Sequence, residues 1–251
     1  MIDLVLIGIG TGKPEHLTLQ AVRELNAADL IIIPRKGSAK ADLADLRREI
    51  CETVITNPDV TIAEFDLPVR DPAITDYEAR VNHWHDAIAQ VWLDTIRVNG
   101  GNRVALLVWG DPSLYDSTLR IAGRLTDDLP HQVRVIPGIT SVQALTAAHT
   151  IPINEINGPF TITTGRRLRD EGWPTGADTV VVMLDGECSF QTLDPTDIHI
   201  WWTAFAGMEN EISLSGPLNK MSPTIIKTRA EARATHGWIM DIYLMRRPSS
   251  S

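Results

Sequence analysis

Cysteine is scarce: Cys51 and Cys188 are the only two in 251 residues, and neither stands in a CxxC or Cys/His spacing. A disulfide framework and a structural zinc site are therefore not expected, and a reducing cytoplasm fits best. No apolar run approaches the ~20 residues that a membrane helix needs. Positive charge is also in short supply. The 23 Lys and Arg against 32 Asp and Glu give a formal net charge of −9. That argues against a general nucleic-acid binder, which needs a basic face to displace counterions from phosphates. An anionic small molecule stays open, because a local basic cluster can sit on an acidic protein. Repeats and low-complexity tracts are missing. The opening stretch Ile2-Asp3-Leu4-Val5-Leu6-Ile7 is too short and too acidic for a signal peptide. His83 and His85, two apart on an expected helix, point different ways and make a poor metal pair, so no metal is expected.

What is there is an ordinary globular balance, 43% apolar and 22% charged. Short aliphatic runs alternate with helix-period segments. Strands are expected over Ile2–Ile9, Leu30–Pro34, Val60–Phe65, Arg103–Trp109 and Val133–Ile136. Helices are expected over Thr18–Ala28, with Thr18 as N-cap, then Ala39–Ile55, Tyr77–Val98, Leu114–Leu125 and Thr140–His149. Strands buried on both faces and separated by helices indicate a parallel sheet covered by helices. From Phe160 onward the pattern changes. Strands Phe160–Thr164, Thr179–Leu184, His199–Thr203, Ile212–Leu214 and Trp238–Met245 are joined by weaker helical segments, and a mixed sheet is the simpler reading. Two α/β domains in series follow, 1–112 and 113–246, with 247–251 as a frayed tail.

Three glycine-containing turns punctuate this pattern. The first, Gly8-Ile9-Gly10-Thr11-Gly12-Lys13-Pro14, lies between a strand and a helix, where open α/β sheets bind ligands. It is neither a dinucleotide fingerprint, which would need glycine where Lys13 stands, nor a P-loop, which would need glycine at Ile7 and Ser or Thr at Pro14. The second, Trp109-Gly110-Asp111-Pro112-Ser113-Leu114-Tyr115, ends a buried strand with a carboxylate at the tip of a sharp turn. The third, Pro137-Gly138-Ile139-Thr140-Ser141, ends a strand and offers Thr140 or Ser141 as a helix cap. Each alone could be architectural.

Together and in order, the three turns resemble those of the tetrapyrrole methylases, the family that methylates uroporphyrinogen and the precorrins. Thr179-Val180-Val181-Val182-Met183-Leu184, Glu211 and Gly216-Pro217-Leu218 extend the likeness, which runs from about Leu4 to Leu244. The resemblance implies a tetrapyrrole-methylase-like fold with an S-adenosylmethionine cleft between its two domains, S-adenosylhomocysteine as product, and no metal. Carried over residue by residue, the cofactor set is Thr11, Trp109, Gly110, Asp111, Leu114, Thr140, Ser141, Met183, Leu184 and Ala206. Members are commonly homodimers. Where the family has Pro-Gly-Asp-Pro, this chain has Thr11-Gly12-Lys13-Pro14. That departure, with the segments IIIPRKG and KADLADLRR, resembles the branch that methylates C-1 of precorrin-5 and releases the extruded acetyl group as acetate.

The chemistry implied needs little from side chains for methyl transfer, since positioning the reactants can supply much of the rate. No Ser/His/Asp or Cys/His constellation is evident, in agreement. Acetyl removal needs water and a general base; the candidates are Asp111, Asp185 and Glu187. A polycarboxylate substrate calls for cations, and Arg35, Lys36 and Lys40 after the second strand, with Arg166, Arg167 and Arg169 after Thr164-Gly165, supply them. Trp201-Trp202 is expected to pack at a sheet or dimer surface. A sister methyltransferase without deacetylation remains an alternative. So does a non-catalytic tetrapyrrole-binding module, which the Thr11/Lys13 departure favours.

Overall fold

A computed structural model of the chain describes residues 1–35, 41–125 and 130–248. It divides into two units, Met1–Thr140 and Ser141–Ser251.

The first unit is built on a five-stranded sheet in the order β3-β2-β4-β1-β5. Its strands are β1 (Ile2–Gly8), β2 (Leu30–Arg35), β3 (Thr61–Asp66), β4 (Arg103–Val108) and β5 (His131–Ile136), and every pairing is parallel. Helices α1 (Leu19–Ala27), α2 (Ala41–Val54), α3 (Tyr77–Asn99) and α4 (Thr118–Ala122) link them. Successive side chains of a strand point to opposite faces, and the two cores divide accordingly. Val5, Ile7, Ile31, Ile33 and Leu107 meet Leu25 of α1 and Ile50 of α2, whereas Leu4, Leu6, Ile32 and Leu106 meet Ile88 and Trp92 of α3 and Ile121 of α4. Right-handed crossovers require this split. The chain steps toward β3 through α1 and α2, and toward β5 through α3 and α4. Full burial of each such aliphatic side chain stabilises by roughly 1.5–3 kcal/mol. Thr18 caps α1 as expected, its hydroxyl accepting the Ala21 N–H at 3.0 Å.

At the amino end of this sheet, Arg134 of β5 grips Asp3 of β1 with two hydrogen bonds, 2.8 and 2.7 Å, and reaches Glu24 of α1 at 2.8 Å. Hydrogen bonding to Arg134 holds the Asp3 and Glu24 carboxyls below their usual values of 3.8 and 4.5, outweighing the opposing cost of burial. A depressed carboxyl contributes stability that is present above its unfolded value and lost as pH falls through its folded one. Arg134→Met should therefore destabilise the protein at pH 7. The gap to wild type should shrink in acid below pH ~4.5, as seen in urea midpoints at pH 7 and pH 3.

The second unit carries a five-stranded sheet in the order β6-β7-β10-β8-β9. Its strands are β6 (Phe160–Thr164), β7 (Thr179–Met183), β8 (His199–Ala204), β9 (Ile212–Pro217) and β10 (Asp241–Arg246). Only β6 and β7 pair in parallel, so the sheet is mixed, as the sequence pattern implies. Trp202, Tyr243, Phe190 and Phe205 fill the core, with Phe190 edge-on to Tyr243 at 5.3 Å. Helices α5 (Ser141–His149), α6 (Gly165–Glu171) and α7 (Leu218–His236) complete the unit. Trp202 is a core residue, while Trp201 lies under the Arg246 guanidinium at 5.3 Å.

Four expectations need correction. The boundary falls after Thr140, not after Pro112, because β5 pairs with β1 along its whole length and so belongs to the first sheet. Helix α4 is five residues long rather than the expected Leu114–Leu125. Tyr115 takes a left-handed conformation at φ 48°, and Asp116 accepts the Thr118 N–H only after it. Helix α7, 19 residues long, was hidden by Pro223 within it and by having only three fully buried residues, Leu218, Ile225 and Ala232. The tail does not begin at residue 247. Arg247 donates its N–H to Asp178 O at 3.0 Å and lies over the Trp173 ring at 4.2 Å; Ser249–Ser251 lie outside the described residues.

Candidate active site

Strands β1 and β4 lie side by side, yet the chain leaves them in opposite directions along the sheet. Such a switch point at the carboxyl ends of parallel strands opens a crevice. The three glycine turns meet there, following β1, β4 and β5. Gly10 and Gly110 form a two-bond bridge: the Gly110 N–H donates to Gly10 O at 2.8 Å and the Gly10 N–H to Gly110 O at 3.3 Å. Gly138 of the third turn presses against Gly110 and against Gly8 of the first turn. A methyl group built on Gly8 would stand 2.6 Å from Gly138 N and 2.8 Å from Gly110 O. Three backbones therefore touch at a point that no side chain can enter.

Asp111 locks this knot. One of its carboxylate oxygens accepts the Gly138 N–H at 2.8 Å, and the other accepts the Ser113 N–H at 2.8 Å and the Ser113 hydroxyl at 2.5 Å. Burial opposes its charge, but the Ser113 and Gly138 hydrogen bonds prevail and hold the carboxyl below the usual range. Thr11 is buried, its hydroxyl 2.9 Å from His16 Nδ1. This pair fixes the first turn. Lys13 is exposed and faces Glu15 at 4.0 Å. Trp109, Leu114 and Thr140 are partly buried around the knot, and Gly110 has only Thr140 Cα, at 3.7 Å, near the place a side chain would fill.

In the second unit, the alternation of directions puts the carboxyl ends of β6, β7 and β8 on one edge. Arg166 and Arg167 (after β6), Met183 and Leu184 (ending β7) and Ala206 (after β8) all lie there. Leu184 is 67% exposed and left-handed at φ 54°. An exposed leucine in a conformation that costs about 1–3 kcal/mol is unusual outside a functional site. Asp185 behind it is 6% exposed and accepts four hydrogen bonds, from Glu187 N, Ser189 N, Ser189 Oγ and Tyr243 OH, at 2.6–3.0 Å. Glu187 is a surface residue paired with Arg169 at 2.6 Å. All three carboxylates considered for water activation are thus committed to other partners. Among the cations, Arg35 pairs with Glu64 and Asp66 at 3.6 and 3.1 Å. Arg167 holds Glu171 bidentately. Lys36 and Lys40 lie outside the described residues.

The family described as Tetrapyrrole (Corrin/Porphyrin) Methylases matches residues 3–222. The chain belongs to that family. A precorrin-6A synthase [deacetylating] from a Sinorhizobium species is 46% identical over 251 residues, covering 98% of this chain and 96% of that protein. A precorrin-2 C(20)-methyltransferase from Sinorhizobium is 28% identical, covering 72% of this chain and 71% of its own. Among solved structures, a cobalamin synthesis related protein (CobF) from Corynebacterium diphtheriae is 39% identical, with a TM-score of 0.84, covering 99% of this chain and 100% of its own. A uroporphyrin-III C-methyl transferase from Thermus thermophilus, complexed with S-adenyl homocysteine, shares the fold (TM-score 0.60, 18% identity, 97% of this chain and 92% of its own).

One feature of the first unit escaped the sequence. A cavity of about 230 Å³ lies at the carboxyl ends of β2 and β4, walled by Pro34, Phe65, Trp84, Trp92, Val108 and Trp109, with Arg47 and Asp116 as its charged members. Arg47 donates to Leu107 O at 3.3 Å and lies 5.6 Å from the Trp109 ring centre. Burial brings its guanidinium down to about 10, with Asp116 opposing, so it stays cationic near neutrality. Trp92, 3% exposed, carries an indole N–H with no hydrogen-bond partner among the described residues. The available signal was an arginine on the apolar face of α2, four residues after Leu43 and three before Ile50.

Proposed function

We propose that this chain is an S-adenosylmethionine-dependent C-methyltransferase of cobalamin biosynthesis that methylates C-1 of precorrin-5 and releases the extruded acetyl group as acetate, giving precorrin-6A. The observation that carries the reading is 46% identity to a precorrin-6A synthase [deacetylating] across nearly the whole length of both chains. The departure of Thr11 and Lys13 from the family's common loop agrees with that branch.

The residues present suit the cofactor. In the first unit, a bare backbone edge at Gly110 and a partly buried indole at Trp109 offer hydrogen-bonding groups beside apolar surface, the mixture that small-molecule sites require, and the second unit by itself exposes an apolar side chain at Leu184. Trp109, Gly110, Leu114 and Thr140, with Ser141, Met183, Leu184 and Ala206, would hold it. Thr11 and Asp111 would act by fixing the turns, since their side chains face His16, Ser113 and Gly138. When bound, S-adenosylmethionine supplies an electrophilic methyl group, so the chain's own work is to orient C-1 and exclude water. Arg35, Arg166 and Arg167 would face the substrate's carboxylates, and a cytoplasmic homodimer is part of the same reading.

The test is direct. Incubation with S-adenosylmethionine and precorrin-5, followed by mass spectrometry, is expected to show methyl gain with one acetate released per methyl. Methyl gain without acetate would assign a sister reaction. Cofactor binding without turnover would leave only a tetrapyrrole-binding module.

A further inference from the structure

Water activation and acetyl capture are unassigned once Asp111, Asp185 and Glu187 are committed elsewhere. The cavity beside Trp109 has the groups such a step needs. At about 230 Å³ it cannot admit a macrocycle. It has room for several waters at roughly 30 Å³ each, or for a two-carbon acid with a water beside it. Its walls are chiefly apolar and aromatic, suited to a methyl group. Its polar members are Arg47, the hydroxyl residues Ser117 and Thr118, and one carboxylate. That carboxylate, Asp116, gives one oxygen to the Thr118 N–H at 2.6 Å, which leaves the other able to accept a proton.

We propose that this cavity is the acetyl subsite, in which Arg47 binds the acetyl oxygen and Asp116 takes the proton from the attacking water. The inference rests on the reaction proposed above. The water oxygen bonds to the acetyl carbonyl carbon, and the carbonyl oxygen becomes an oxyanion facing Arg47. Donors aimed at a developing oxyanion are among the largest catalytic terms known. The bond from the acyl carbon to C-1 then breaks, and its electron pair stays with C-1 in the conjugated ring. Acetate remains on Arg47, and C-1 uses that pair to take the methyl group of the sulfonium. In total one water and one sulfonium are consumed, and one acetate, one thioether and two protons appear. Asp116 partly neutralises Arg47, so acetate is held weakly, as a product that must leave should be.

Binding can be read without any turnover. In the full-length protein with ¹⁵N-labelled tryptophan, Trp92→Phe identifies the Trp92 indole peak. Sodium acetate titrated into the wild type should shift that peak saturably, with a roughly millimolar Kd. Arg47→Met should weaken binding about tenfold, Arg47→Lys should restore part of it, and Asp116→Asn should tighten it. No saturable shift would overturn the proposal. In turnover, Arg47→Met and Asp116→Asn should lower kcat with little change in KM for precorrin-5, acetate and methyl transfer falling together. A raised KM with unchanged kcat would show that the cavity takes one of the substrate's own carboxylate arms, and would overturn it too. If wild type fails to turn over precorrin-5 yet binds acetate, the reaction reading fails, and the acetyl role with it. Because the titration needs neither cofactor nor tetrapyrrole, it separates that failure from an empty cavity.

Discussion

Gly138→Ala is expected to destabilise the first unit by about 3–5 kcal/mol, the range of severe overpacking, or to prevent its folding. The added methyl would stand 2.1 Å from the Gly110 carbonyl oxygen and 2.8 Å from Gly8 Cα, and both are backbone atoms that no rotamer change can move. Relief would require separating the turns after β1, β4 and β5. The Gly10–Gly110 bridge and the Asp111 bond to Gly138 would loosen with it. Thermal unfolding should show a fall in Tm of about 6–20 °C, at 2–4 °C per kcal/mol for a chain of this size. Gly186→Ala is the control: nothing lies within 4 Å of the added methyl, and its backbone is not left-handed. It should stay within about 0.5 kcal/mol of wild type. A Gly138→Ala protein as stable as that control would mean that the three turns do not meet as described.

Asp185→Ala is expected to destabilise the second unit by a similar amount, about 3–5 kcal/mol. The carboxylate is the common acceptor for Ser189 N at 2.6 Å, Ser189 Oγ at 2.9 Å, Glu187 N at 3.0 Å and Tyr243 OH at 2.6 Å. Tyr243 is 1% exposed and Ser189 3%, so their donors would be left in the interior with no water to replace the lost acceptor. Asp185→Asn keeps the shape and one acceptor oxygen and should cost less. Tyr243→Phe removes a single donor and should cost about 1 kcal/mol. Urea unfolding of the three variants orders them. The same variants separate architecture from chemistry: Asp185→Asn with normal stability and lost turnover would return Asp185 to the catalytic candidates.

The sequence reading succeeded where one local physical cause governs a segment. A strand buried on both faces must be aliphatic throughout, so β1, β2 and β4 stand out as continuous runs, and a helix packed on a sheet keeps its apolar period, as in α3. It failed where the cause is remote. β5 reads His-Gln-Val-Arg-Val-Ile, half polar because it is an edge strand, and nothing within it reveals that its partner is β1 at the other end of the unit. That single omission displaced the domain boundary. Tyr115 gives no local sign of its left-handed backbone, so the sequence pattern implies a longer α4 than the chain forms. The site divides in the same way. The glycine turns are visible because only glycine tolerates such close backbone approach. The duty of Asp111 is not visible, since its partner Gly138 lies 27 residues away. Arg47 is not visible either, because an ion on a buried face reads as an interruption until the cavity beside it is seen.

The place of β1 in the sheet has a consequence for how the polypeptide acquires its structure. The strand is flanked by β4 and β5, and Asp3 reaches its nearest lateral neighbour, Arg103, only 100 residues further along the chain. β2 and β3, by contrast, are successive strands. During synthesis this aliphatic segment must therefore wait, unpaired on both edges, while most of the unit is made. Closing so long a loop delays any reward from the contacts it brings. A ribosome-bound nascent chain stopped before β4 offers an open strand with a sticky backbone, the kind of surface that holding chaperones cover.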